Sequence, residues 1–563
     1  MAPEMPGTSE MVGTSESPLL TPRHRAGGLD REDVVVRKGQ FTLLNGHLTP
    51  QQSMIEDLLY IRRVLDAAQV PFLLVRGNDV RPVIAVDAVH RERFTAAMVA
   101  ASATEPFYAK PRKGQASLVV EGGLELENER VFRVYRPRVE PIGRLRYGAG
   151  TAVQVEFWII TDDEILAPTE NALMRTTLPR DEAVEETVER YGIEWPTLEH
   201  MFDDHATDIT FDIDIVFSWV DGNSVEYQRA RAAQAKRHVV GEGDDSAARF
   251  RQIDELKYAL RSVYMFAPWV RNIYIATDSP VPEWLGDHPR VRVVRSEEFF
   301  SDLSMLPTHN SQAVEAQLHH IEGLSEHFLY SNDDMFFGRP VAPSMFFSPG
   351  SVTKFIEADT RIGLGHNNIE RSGFENAARV NRRLLQQRFG RVTTRHLEHT
   401  AAPLRRSVLF EMEHEFADEF AATAGSPFRA KENISVTNSL YHYYALMTGR
   451  AIVQENAKVS YVDTTMVSGL ASLSEVLKKR SFDFFCLNDG SFPEVTDDER
   501  MATVTDFLER YYPFAAPWEK DEMQRVALEN AEQDRRSLGA EAAQAGRTDE
   551  AAGPSTRGVE GSD

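Results

Sequence analysis

Apolar runs and helical repeats alternate along this chain, and their spacing predicts its elements. "TPQQSMIEDLLYIRRVLDAAQV" (49–70) carries apolar residues at helical intervals behind a Thr49-Pro50 start signal. "PFLLVRG" and "RPVIAVD" read as short strands and "HRERFTAAMVAA" as a helix. "LVVEGG", "RVFRVYRP" and "AVQVEFWIIT" read as further strands. Together they predict a mixed α/β unit with no catalytic constellation. The acidic stretch "LEHMFDDHATDIT" joins this unit to a second one.

From about 210 strands alternate with helices more regularly. "DIDIVFSWVDGN" is a β-rich run, and "IDELKYALRSVYMFAPWV" is an amphipathic helix with Leu256, Leu260, Val263 and Phe266 on one face. "RNIYIATDSP" and "RVRVVRSEEFF" read as strands, "SQAVEAQLHHIEGL" as a helix, and "EHFLYSNDD" as a strand. The alternation predicts a mostly parallel sheet with helices on both faces. Ligands of such sheets bind at the carboxyl ends of the strands. Three predicted strands run out into acids there: Asp221, Asp278, and Asp333 with Asp334. One such aspartate is an ordinary turn residue. Several at one edge repel one another, and a hard cation such as Mg²⁺ would relieve them.

The later part adds candidate chemistry. "NRRLLQQRFGRVTTRHLEHTAAPLRRSVLFEMEHEFADEF" reads as two helices around a loop carrying His396, His399, Pro403, Arg405 and Arg406. A histidine among arginines is a candidate base or phosphate contact. His319 and His320 read as packing or capping residues of their helix. "SPFRAKENISVTNSLYHYYALMTGRA" places Arg429 and Lys431 before a Tyr-rich helix, where Arg can grip phosphate bidentately. "SFDFFCLNDGSF" repeats the grammar of "HFLYSNDDMFFG", an apolar run closed by Asn488-Asp489. It reads as a fourth strand end or an Asx turn.

Composition narrows the function. The 563 residues are 42% hydrophobic and 26% charged, enough for two or more domains. Asp+Glu (86) outnumber Lys+Arg (62), which argues against nucleic-acid binding. The single cysteine, Cys486, excludes an intramolecular disulfide and a Cys-based zinc site. The N-terminus lacks a signal-peptide layout, and no stretch approaches ~18 uninterrupted apolar residues. The expected location is the cytoplasm, with association at the inner face of the membrane only through a partner.

At these residues the chain resembles the Stealth family of sugar-1-phosphate transferases, which includes the lysosomal-enzyme N-acetylglucosamine-1-phosphotransferase catalytic subunit. "DIDIVFSWVDGN" resembles the first conserved block. The run from "RFRQIDELKYALRS" through "SNDDMFFGRPV" resembles the second, the His399 and Arg429 stretches the third, and "FDFFCLNDGSFPEV" the fourth. Family patterns are departed from at Ser279, His309 and Lys431-Glu432. The resemblance implies a Rossmann-like nucleotide-sugar core and a divalent cation, Mg²⁺ or Mn²⁺. It implies a UDP-sugar donor, a polysaccharide or glycolipid acceptor, UMP release and a phosphodiester product of exopolysaccharide synthesis. By position it implies catalytic roles for His399, Asp221, Asp334 and Arg429. It implies substrate contacts from Trp219, Gly222, Asp278, Asn332, Lys431 and Asn488, and metal ligation by Asp333, Asp334 and Asp489. The expected layout is a disordered segment (1–30), an accessory α+β domain (31–205), a catalytic domain (206–515), and a helix with a disordered tail (516–563). Two other readings stay open on the residues: a metal-dependent glycosyltransferase that moves only the sugar, and a non-catalytic glycan-binding module.

Overall fold

A computed structural model describes residues 27–526, apart from 79, 143–144, 223, 236–252 and 491–492. Most of the expected N-terminal disordered segment, and the C-terminal tail beyond 526, lie outside these residues. Among the described residues, no helix is long and apolar enough to cross a membrane. The chain divides into two units between Asp204 and His205.

The first unit is built on one mixed sheet. Val153–Ile160 pairs in parallel with Pro82–Asp87 and antiparallel with Val131–Tyr135, which pairs onward with Tyr108–Pro111. Two helices, Pro50–Ala67 and Arg91–Ala101, bury Leu58, Ile61, Leu65, Phe94 and Met98 in one core with Val134, Val153, Val155 and Phe157. The first helix begins with a capping box, Thr49 with Gln52, and has Pro50 inside its start. The strand expected in "LVVEGG" stops after Leu118, and Val119–Glu121 is a 3₁₀ turn. The cause is Gly122, whose φ of +91° turns the chain, followed by Gly123, where a Cβ would lie 2.6 Å from the Ser117 carbonyl oxygen.

The second unit carries a five-stranded sheet. Its strands are β1 (Ile213–Ser218), β2 (Ile273–Ala276), β3 (Val291–Val294), β4 (His327–Asn332) and, after the short strand β5 (Met335–Phe337), β6 (Ala402–Arg405). The order is β3-β2-β1-β4-β6, with β1 to β4 mutually parallel and β6 antiparallel at the edge. This is the expected α/β sheet. Pro403 sits in β6, the edge position where a missing N–H is tolerated. Val216, Tyr274, Val294, Phe328 and Tyr330 pack in one core with Val380 and Leu384 of helix α2 (Gly373–Phe389). The amphipathic stripe Leu256, Leu260, Val263 and Phe266 forms the buried side of helix α1 (Glu255–Phe266), no residue of it more than 3% exposed. Each such burial contributes roughly 2 kcal/mol.

Three local expectations are corrected. The loop expected around His396 and Arg405 is two strands, Arg395–Leu397 and β6. Arg405 there pairs with Glu326 at 3.0 Å, and Arg406 donates to the carbonyls of His319 and Leu324. The helix expected over 311–324 is one turn, Ser311–Glu315, then a 3₁₀ turn, Leu318–His320. Gln317, His319 and His320 all reach Glu413, within 3.0–3.3 Å, so their side chains leave the helical stripe. The Asn488 run is indeed a strand end, but in another sheet. Strand β8 (Phe484–Asn488) lies between β5 and β7 (Val459–Asp463).

Candidate active site

The register of the parallel sheet builds the site. Ser218 of β1 is opposite Ala276 of β2 and Asn332 of β4, so the three strands end level. Trp219-Val220-Asp221, Thr277-Asp278-Ser279 and Asp333-Asp334 leave from that one edge. Buried Asp214 fixes the opposite end of β1. It accepts two bonds from Arg271 (2.9 and 2.7 Å) and the N–H groups of Asn272 and Ser325.

Past the level ends lies a cavity of ≈470 Å³, within the range of small-molecule sites. Trp219, Asp278, Asn332, Asp333, Asp334 and Arg429 all line it. Arg429 arrives from a loop that Asn310 fastens down. The Asn310 amide donates to the carbonyl of Ser426 and the side chain of Asn433, each at 3.0 Å. Arg429 itself donates to Ser311 at 2.7 Å. Burial pushes the nearby Glu315 carboxyl above the usual range, while the Arg429 charge opposes that shift.

Strand pairing explains the repeated "ND" grammar. Met335 is opposite Cys486 and Phe336 opposite Phe485, antiparallel, and the Leu487 N–H donates to the Asp334 carbonyl at 3.0 Å. The two apolar runs are partners in one small sheet, and their acidic ends meet. Asp333 is held well above the carboxylate range by burial, then by the charges of Asp334, Glu255 and Asp489. Glu255, at the first turn of α1, is pushed up to about 7 by burial, with Asp489 adding. Arg500, on helix α3 (Asp497–Tyr511), pairs with Asp489 and lies 4.0 Å from Glu255. The Cys486 thiol donates to Asp334 at 3.4 Å.

The other expected residues fall outside the cavity lining or are already engaged. Asp221 lies beside the cavity, its N–H donating to Ser279 at 2.8 Å, and the Gly222 carbonyl accepts from Gln228. Asp278 lines the cavity, but its carboxylate already accepts from the Ser296 N–H and hydroxyl (2.8 and 2.7 Å). His399 packs against Phe374 and Tyr461, ring centroids 5.9 and 5.4 Å away. The Tyr461 hydroxyl is in turn pushed up, by burial first and then by nearby Cys486 and Asp334. Lys431 pairs with Glu432 at 3.6 Å instead of entering the cavity. The Asn488 carbonyl accepts from Thr464, which is a sheet contact.

The sequence reading missed Glu255, Arg500 and His309 as site residues. His309 lines the cavity between Phe428 and Tyr227, and burial lowers it to about 4. The neutral ring therefore presents one donor and one acceptor there.

A divalent cation has a suitable donor set in Asp333 and Asp334, two hard oxygen ligands whose repulsion it would relieve. Asp333, Asp334 and Asp489 do not form a closed trio. Among the described residues, only His319, His320 and Glu413 bring three donor atoms within 4.8 Å of one another. Asp489 has Arg500 as a counter-charge, and its own charge acts on Asp333.

An α/β enzyme with an acid-lined cleft at its parallel strand ends is the class that fold and site define. Stealth protein conserved regions 1, 2, 3 and 4 match residues 211–236, 249–355, 398–446 and 474–527. The chain is 59% identical over 491 residues to the exopolysaccharide phosphotransferase CpsY of Mycobacterium tuberculosis, covering 86% of this chain and 92% of that one. It is 54% identical to an exopolysaccharide phosphotransferase of Nocardia farcinica, covering 88% and 92%. The chain belongs to the Stealth family, and it is a phosphotransferase. Among solved structures, the galactosyltransferase LgtC aligns with 54% of this chain and 96% of its own at 12% identity, with a TM-score of 0.28, too low to bear on fold or function.

Proposed function

We propose that this protein transfers hexose-1-phosphate from a UDP-sugar to a hydroxyl of a polysaccharide or glycolipid acceptor in exopolysaccharide synthesis. The observation that carries the reading is that Asp333, Asp334 and Arg429 line one cleft, in a chain whose relatives are exopolysaccharide phosphotransferases. The acceptor oxygen attacks the phosphorus nearer the sugar. A new O–P bond forms, the bond to the bridging oxygen breaks, and UMP leaves with that oxygen. The hydroxyl proton passes to a base. Such chemistry needs positioning and charge neutralisation more than covalent help.

Asp333 and Asp334 would hold Mg²⁺ or Mn²⁺, which when bound neutralises diphosphate charge. Arg429, kept in place by Ser311 and the Asn310 clamp, grips phosphate oxygens. Trp219 and neutral His309 border the donor, and Asn332, whose side-chain oxygen accepts from Tyr330 at 2.8 Å, keeps its amide for it. Asp221 at the lip supports this edge. His399 is the proposed base or acceptor partner, reached by an acceptor lying along Tyr461. Replacing His399 by Ala should lower turnover by about 10²–10⁴-fold while donor binding persists. Near-normal turnover in that variant would remove the assignment.

The test of the whole reading is a panel of UDP-sugars with Mg²⁺ and a glycan acceptor, scored for the nucleotide released. UMP is the expected product. UDP would instead mark a glycosyltransferase.

A further inference from the structure

The first unit has a second cavity, of ≈420 Å³, which lies wholly on its own sheet. Its floor is a cross-strand row. Lys110 is directly opposite Arg133, and Arg133 directly opposite Gln154. Arg112 lies two residues along from Lys110, on the same face.

Like charges directly opposite one another across a strand pair are unfavourable. A fold keeps such a pair at a cost unless something compensates. Among the described residues, no hydrogen bond or ion pair engages the side chain of Lys110 or Arg133, and the Arg112 side chain makes only a 3.5 Å bond to the Pro168 carbonyl. Among the described residues, the one acid in the lining is Glu170. The neighbouring Glu156 is buried and satisfied by neutral donors, Gln154, Trp158 and Thr169. This row of cations is retained in a chain of net charge −24. On the opposite face Ala109, Val134 and Val153 fill the core, so the row has no packing role of its own.

We propose that this cavity binds a phosphate oxyanion carried on a glycan, the phosphodiester of the polymer that the second unit makes or extends. Lys110 and Arg133 would share the oxyanion, with Arg112 at the rim. Gln154 and Thr169 donate to Glu156, so it is their oxygens that accept from sugar hydroxyls. The anion site stands on the cavity alone, and its glycan source rests on the function proposed above.

The test uses the full-length protein and the double variant Lys110→Ala/Arg133→Ala. Binding is measured at low ionic strength for inorganic phosphate, a phosphodiester-linked oligosaccharide, and a neutral oligosaccharide of equal length. The double variant should bind one phosphate fewer than the wild type. It should bind the phosphodiester oligosaccharide at least about tenfold more weakly, with the neutral one unchanged. Its turnover on a short acceptor should be unaffected. Its melting temperature should stay level or rise, since a repulsive pair is gone; a merely structural role would lower it. Equal phosphate stoichiometry in both proteins would overturn the site. Tighter binding of free phosphate than of the oligosaccharide by the wild type would overturn the glycan assignment. Phosphate binding here does not depend on which nucleotide the second unit releases, so either reading can fail without the other.

Discussion

Burial and three acidic neighbours act against the ionised form of Asp333 in the cleft. Removing that charge should separate stability from activity. Asp333→Asn should melt no lower than the wild type, and higher without added cation, while turnover falls by about 10²-fold or more. A variant that lost both together would show a structural role instead. Arg500 has the opposite character. It is 4% exposed and is the counter-charge to Asp489, so Arg500→Ala should cost about 3–5 kcal/mol in urea unfolding. A loss below about 1 kcal/mol would mean that Asp489 has another partner. The paired aspartates were legible because strand ends aim residues at one edge. Glu255 and Arg500 were not, because each reads locally as something else. A glutamate in the first turn of a helix suits the helix dipole, and an arginine among "DDER" reads as a solvated helix face. Only the tertiary fold turns them inward.

Among the elements, the small sheet of β5, β8 and β7 decides whether the acids meet. Phe485 is fully buried there, stacked on Phe336 with centroids 5.2 Å apart. Phe485→Ala should cost about 3–5 kcal/mol and also reduce turnover, because the pairing that brings Asp489 toward Asp333 loosens. The exposed Val392 is the control: Val392→Ala should change stability by no more than about 0.5 kcal/mol. Loss of stability in Phe485→Ala with full turnover retained would contradict this link. The parallel sheet was legible from alternation of strands and helices. The β5–β8 pairing was not, since its partners lie about 150 residues apart and only their similar grammar hinted at it. The broken helix at 311–320 failed for a related reason, because Glu413 captures three polar side chains whose helical spacing looked regular.

Across the second unit as a whole, buried neutral histidines set an acid limit. Burial lowers His327 to about 4, where it stacks on Phe211 at 3.7 Å. It lowers His442 to about 4 as well, where the ring donates to the Thr437 carbonyl at 2.8 Å. Unfolded histidine takes up a proton near pH ~6.5 and the folded rings do not. Their stability is therefore present above about 6.5 and is lost as pH falls toward about 4. By about pH 5 each should have cost about 2 kcal/mol. Urea midpoints at about pH 7.5 and 5 test this, with His442→Gln expected to lose about 2 kcal/mol less between them than the wild type. An identical loss in both proteins would contradict it. At this scale the sequence resolved two units and the reaction class of the second. It was silent on the first, because a binding row of Lys110, Arg133 and Gln154 exists only once three strands separated along the chain are laid side by side.

In the proposed reaction phosphorus travels with the sugar. This is tested most directly by giving the enzyme a UDP-sugar radiolabelled at the phosphorus nearer the sugar, with Mg²⁺ and a glycan acceptor, and tracing the label. The predicted result is label in the glycan, left there as a phosphatase-sensitive phosphomonoester when mild acid cleaves the anomeric bond and frees the unlabelled sugar, with unlabelled UMP in solution. Label remaining wholly in released UDP, with unlabelled sugar on the glycan, would contradict it.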